Sequence, residues 1–99
     1  MYASIRNYRS SDARELARRA GEGFLPLLQD VEGFAGYYIV DAGDGRVASI
    51  TVCQDQAGVE ESVNRSRDWV AENASELVEG APEVLNGEVT VDSSAQART

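Results

Sequence analysis

Trp69, the one tryptophan of this 99-residue chain, offers a flat aromatic face and an indole N–H donor, the two features that hold a planar ligand. Ser62, Ser66 and Asn73 recur beside it at helical spacing, and Asn64 is close in sequence. These four polar side chains read as one wall of a pocket or as the part-solvated flank of a helix, and a flank is the commoner arrangement. Trp69 itself would wall a pocket or seal a helix edge against the last strand, and the seal is the stronger reading. Near the N-terminus, Arg6 and Tyr8 alternate onto one side of a strand. In a cavity such an arginine stabilises an enolate or phenolate. As structure it needs a partner, because a buried unpaired charge is costly. Glu88 on the neighbouring last strand is the expected partner, and an ion pair at a subunit contact is favoured over chemistry. Tyr37 and Tyr38, adjacent in a strand, face opposite ways, one toward helices and one toward a partner; either phenol could donate a hydrogen bond to a substrate. Cys53 ends a buried strand and reads as an inert small hydrophobe.

Absences narrow the chemistry further. The chain has no His, and its nine cations are all arginine. Histidine triads, His-ligated haem or zinc, Schiff-base lysines and P-loop lysines are excluded. One cysteine excludes a disulfide framework. Glu60 and Glu61 are adjacent and diverge on a helix, and no carboxylate spacing suggests a metal site. The formal charge of −8 argues against nucleic acid as a partner. No stretch approaches a membrane span, and MYASIRNYRS lacks the pattern of a signal peptide. A cytoplasmic location is the default expectation. Richness in Ala, Gly, Val and Arg without Lys suggests a GC-rich bacterial source.

The elements that must position these residues follow from periodicity. Residues 2–9 alternate as a strand. Residues 12–28 read as a helix with Asp12 as N-cap and an inward stripe of Ala13, Leu16, Ala17, Ala20, Phe24, Leu27 and Leu28. Pro26 removes a hydrogen bond to Glu22, so the last third is expected to kink or tighten. Residues 34–42 and 46–53 are strands joined by a Gly43-Asp44-Gly45 turn. Asp55 caps a second helix over residues 56–73, with Val59, Val63, Ser66, Val70 and Ala74 as its inward stripe. Residues 83–91 read as the last strand. Residues 1–91 make one domain, and residues 92–99 are read as a frayed tail. The order β-α-β-β-α-β is a split βαβ arrangement: a four-stranded antiparallel sheet, strands one and three central, both helices on one face.

Two helices cover one face only. Ala3, Ile5, Ala48, Ile50, Val52 and Leu85 share one face and suit the helices. Tyr2, Arg6, Tyr8, Val47, Ser49, Thr51, Cys53 and Val84 share the other, which is mixed rather than wetted. A core this small is marginal, so a second copy packed sheet to sheet, a twofold homodimer, is expected.

Three stretches, MYASIRNY, EGFLPLLQDVEGFAGYYIVDAGDG and EESVNRSRDWVAEN, resemble the antibiotic biosynthesis monooxygenase-like family of the dimeric α+β barrel superfamily, over residues 1–91. The resemblance implies an α+β, ferredoxin-like βαββαβ fold whose dimers close two sheets into a barrel, with a pocket between sheet and helices. It implies a cofactor-independent monooxygenase acting on small aromatic or enolisable substrates, with no cofactor. Asn64 and Trp69 are the positions closest to that activity's helix Asn and Trp, although they are five residues apart, about 140° around an ideal helix, where four are expected. Trp69, Asn64 and Arg6 are then the catalytic candidates, and Tyr37, Tyr38, Tyr8, Ser66 and Asn73 the substrate-binding ones. Haem-degrading relatives use a His that this chain lacks. The competing function is a non-catalytic dimeric module that binds a small ligand or has a structural role. It is favoured by the want of a side chain with an unperturbed pKa near 7.

Overall fold

Alternation sets the first element. In the computed structural model, which describes residues 1–93, Tyr2–Arg9 form strand β1, burying Ser4, Arg6 and Tyr8 while Asn7 and Arg9 stay exposed. Asp12 caps the next helix, its carboxylate accepting from the Glu15 N–H at 3.1 Å. That helix is α1, Ala13–Arg19. It continues not as a tightened turn but as a widened one: Ala20–Phe24 form a π turn, in which the Leu25 N–H reaches back to the Ala20 carbonyl. A short α2, Leu25–Gln29, follows with Pro26 in its first turn, where a missing N–H costs nothing. Of the expected kink or tightening, the tightened turn is therefore corrected to a widened one. Phe24 and Leu28 are buried as the stripe expects, whereas Leu27, beyond the widened turn, is 42% exposed.

Strand β2, Phe34–Gly43, and strand β3, Arg46–Cys53, form the hairpin. Its turn needs the residues it has, because Gly43, Asp44 and Gly45 all have positive φ (85°, 55° and 76°). A Cβ on Gly45 would also lie 2.8 Å from the Ser10 carbonyl oxygen. Helix α3, Gln56–Asn73, is capped by Asp55, whose carboxylate accepts from the Gly58 N–H at 2.9 Å. After a 3₁₀ turn at Ser75–Leu77 the chain enters β4, Glu83–Glu88. This strand is shorter than the nine residues expected, although the Val89 N–H still donates to the Met1 carbonyl at 2.9 Å. Of the expected C-terminal tail, residues 94–99 lie outside the described residues.

The sheet is antiparallel with order β2-β3-β1-β4, so β1 and β3 are central. Its faces are the reverse of the expectation. Arg6 stands opposite Ser49 on β3 and Val84 on β4, and this Arg6 face is the one the helices cover. Ile5, Ile50, Val52, Tyr38, Val40 and Leu85 form the open face. Alternation determines which residues share a face, but the handedness of the β1–helix–β2 crossover decides which face receives the helices. The core accordingly holds Phe24, Leu28, Val47, Val59 and Trp69 together with buried hydroxyls. No helix among the described residues is long and apolar enough to cross a membrane.

Candidate functional site

The sheet places hydroxyl side chains two residues apart on neighbouring strands, and Arg6 lies among them. Its Nη1 donates to Ser4 Oγ at 3.2 Å, and its Nη2 donates to Ser49 Oγ at 3.0 Å and Thr51 Oγ1 at 2.9 Å. The arginine is 1% exposed, and its Nε has no acceptor. The expected Glu88 partner is instead exposed at the end of β4. Glu88 sits in register with Tyr2, four residues along the ladder from the Arg6–Val84 pair. Among the described residues no carboxylate forms an ion pair with Arg6, and helices cover its face of the sheet.

The polar network extends outward from the arginine. Ser49 Oγ donates to the Tyr37 oxygen at 3.1 Å, and Tyr8 and Ser66 share a hydrogen bond of 3.1 Å. Burial pushes the Tyr37 phenol above its ordinary 10.0; the hydrogen bond from Ser49 and the charge of Arg6 offset this only in part. Tyr37 is thus a protonated hydrogen-bonding group at neutral pH and no general base. Burial likewise raises the Cys53 thiol, with the nearby Asp55 charge adding to it.

Helix α3 brings Ser62, Ser66 and Trp69 inward, a stripe set one position round from the one centred on Val63 and Val70, which are only half-buried. Trp69 packs on Phe24 from the π turn, ring centroids 5.7 Å apart, and Phe24 meets Tyr37 edge-on at 5.6 Å. Phe24 thereby fills the space between Trp69 and the sheet, leaving a cavity of about 20 Å³, enough for one water. A larger hollow of about 370 Å³ lies on the other flank of α3, between that helix, the 78–82 segment and β4. Arg6, Tyr8 and Ser66 reach its inner wall, Arg67 its outer one, and Val70, Pro82 and Val84 supply apolar surface.

Six of the residues weighed from sequence for a ligand site are therefore gathered on the helix side of the sheet: Arg6, Tyr8, Tyr37, Ser62, Ser66 and Trp69. Three are not. Asn64 is exposed on the far side of α3, about 200° around the helix from Ser66. Tyr38 lies on the open sheet face, 59% exposed. Asn73 is exposed at the end of α3, where its side chain donates to the Trp69 carbonyl at 3.0 Å. Ser4, Ser49, Thr51, Phe24 and Arg67 were not singled out. The period-two runs Ser4-x-Arg6-x-Tyr8 and Ser49-x-Thr51 carry the signal for the first three, while Phe24 was read only as one residue of the inward helix stripe. Among the described residues no group of three His, Cys, Asp or Glu side chains is placed to hold a metal ion.

No family model matches the sequence, and no curated protein matches it. Solved structures do match the fold. A protein of unknown function from Nitrosomonas europaea, NE2512, is 19% identical over 92% of this chain and 90% of its own, with a TM-score of 0.75. A monooxygenase of Streptomyces coelicolor, ActVA-Orf6, in complex with nanaomycin D, is 14% identical over 92% of each chain at 0.71. SnoaB of Streptomyces nogalater, a cofactor-independent oxygenase solved as a point mutant, is 10% identical over 93% of this chain and 95% of its own at 0.72. The chain thus has the α+β, ferredoxin-like fold of antibiotic biosynthesis monooxygenase-like proteins.

Proposed function

We propose that this protein, built on the fold it shares with cofactor-independent oxygenases, is a homodimer that binds a small aromatic or enolisable molecule between α3 and β4. The observation that carries the reading is the hollow of about 370 Å³ with a buried arginine in its wall. Its size suits a small organic ligand, and ligand sites are typically apolar with a few placed polar groups. Arg6 and the Tyr8–Ser66 pair are those groups here. The dimer follows from the open sheet face, where Tyr38, Val40 and Leu85 are 59%, 47% and 67% exposed. Pairing two such faces would bury on the order of 800 Å² per partner, ordinary for a stable dimer.

Cofactor-independent oxygenation is the second reading, favoured by the fold and by Arg6. In such chemistry the substrate anion itself reduces dioxygen, while the protein orients the anion and excludes water. Among the described residues no carboxylate lines the hollow, and Tyr37 is raised rather than depressed. The substrate would thus have to ionise through its own acidity, with Arg6 and Tyr8 stabilising its anion. Trp69 lies one turn along α3 from Ser66, close enough for its fluorescence to report binding. Titration with a panel of phenols and hydroquinones is expected to change Trp69 emission saturably, and oxygen consumption on the binders separates catalyst from binding module. A panel that leaves both the emission and the backbone resonances of the hollow unmoved rejects the ligand site.

A further inference from the structure

We infer that the hollow between α3 and β4 takes an organic anion, an apolar body bearing a carboxylate or a similarly ionised oxygen, with Arg6 as the inner counter-charge and Arg67 as the outer one. This deepens the ligand-site reading and rests on it. A guanidinium that is 1% exposed and hydrogen-bonded only to three neutral hydroxyls is a buried charge without a compensating one, a costly arrangement. Its Nε–H has no acceptor among the described residues. Helices cover this face, so the carboxylates of a sheet packed on the open face would be separated from it by the strands. The hollow is the route by which a counter-charge can arrive.

Two further features of the hollow point the same way. The chain carries 17 acidic residues, yet among the described residues none of them lines this hollow. Arg67 does line it, is exposed, and makes no ion pair among the described residues. The other cationic cluster, Arg9 opposite Arg46 on adjacent strands, borders a hollow that also holds Glu79 and Glu83, which compete with any anion there. Val70 and Pro82 make the rest of the proposed wall apolar, so a bare inorganic anion would leave most of the space unfilled. A ring or short chain with one ionised group matches both the volume and the charge.

The probes are 2-naphthoate and its neutral counterpart 2-naphthamide, titrated into the full ¹⁵N-labelled chain. Naphthoate is expected to shift resonances around Arg6, Ser66 and Arg67 and to bind at least about tenfold more tightly than the amide, since charge-assisted hydrogen bonds are roughly twice as strong as neutral ones. Arg67→Gln should lower the naphthoate affinity several-fold, and Arg6→Met should erase the preference. If Arg6→Met does not fold, the Arg67→Gln result decides. Equal affinities of acid and amide in the hollow would overturn the anion assignment while leaving the ligand site standing. Naphthoate shifts confined to Arg9 and Arg46 would overturn it too, as would a preference untouched by the substitutions. Neither probe moving the hollow removes the ligand site with it.

Discussion

Gly23 shows how closely single residues are fitted around Trp69. A Cβ there would lie 3.1 Å from the indole Nε1, and the indole is held by Phe24 behind it. Gly21, two residues earlier in the same π turn, has nothing within 4 Å of its would-be Cβ. Alanine at Gly21 should therefore stabilise the protein by about 0.5–1 kcal/mol, through the entropy lost by the unfolded chain. Alanine at Gly23 should gain nothing and shift Trp69 emission; urea unfolding followed by tryptophan fluorescence checks both. Strand spacing made Arg6 and Tyr8 visible as neighbours on one sheet face, and helix spacing made Ser66 and Trp69 visible as neighbours on one stripe, but the two pairs were not brought together, because the arginine was expected on the face away from the helices. Sequence could not assign Tyr37 and Tyr38 to their faces, since adjacent strand residues are equivalent until the covered face is known. It paired Arg6 with Glu88 by charge, whereas register placed hydroxyls around the arginine instead.

Helix α1 is tied to its surroundings by arginines. Arg18 pairs with Glu15 at 2.7 Å and with Glu22 at 2.8 Å. Arg19 meets Glu15 at 2.8 Å and Glu76 at 3.0 Å, and donates to the Asn73 carbonyl at the end of α3. Hydrogen bonds from Arg18 and Arg19 hold the Glu15 carboxyl down to about 2 from its ordinary 4.5, and Arg19 lowers Glu76 likewise. A carboxyl that is more acidic in the folded state contributes its stability in full above its unfolded pKa, and loses it as pH falls through the folded one. Stability should thus decline between about pH 4.5 and pH 2, and Glu15→Gln should flatten that decline in urea titrations across the range. The boundaries of β1, β3 and α3 were legible from alternation and from the Asp55 cap. The π turn was not, because Leu16, Ala20, Phe24 and Leu28 recur every four residues and imitate an unbroken helix; Gly21, Gly23 and Pro26 signalled only that something yields there.

For the molecule as a whole, the unanswered demand is cover for the second sheet face. Tyr38→Asp or Leu85→Asp places a charge on that face without touching the helix-side core, since both side chains already stand exposed in one chain. Light scattering at micromolar concentration should give about twice 10.7 kDa for the unaltered protein and a single chain for either variant. A single-chain mass before substitution overturns the dimer. The strand order was readable from the β-α-β-β-α-β succession and the sharing of faces from period two, but the side that the helices take was not, because it depends on crossover handedness rather than on residue type.

Cys53 is the only cysteine in the sequence and is fully enclosed, its thiol made less acidic by burial. Thiolate reagents can reach it only when β3 and α3 part, so maleimide capture timed under native conditions reads how often the interior opens. One natural side chain thus serves as an internal clock for breathing of the fold, with no label engineered in.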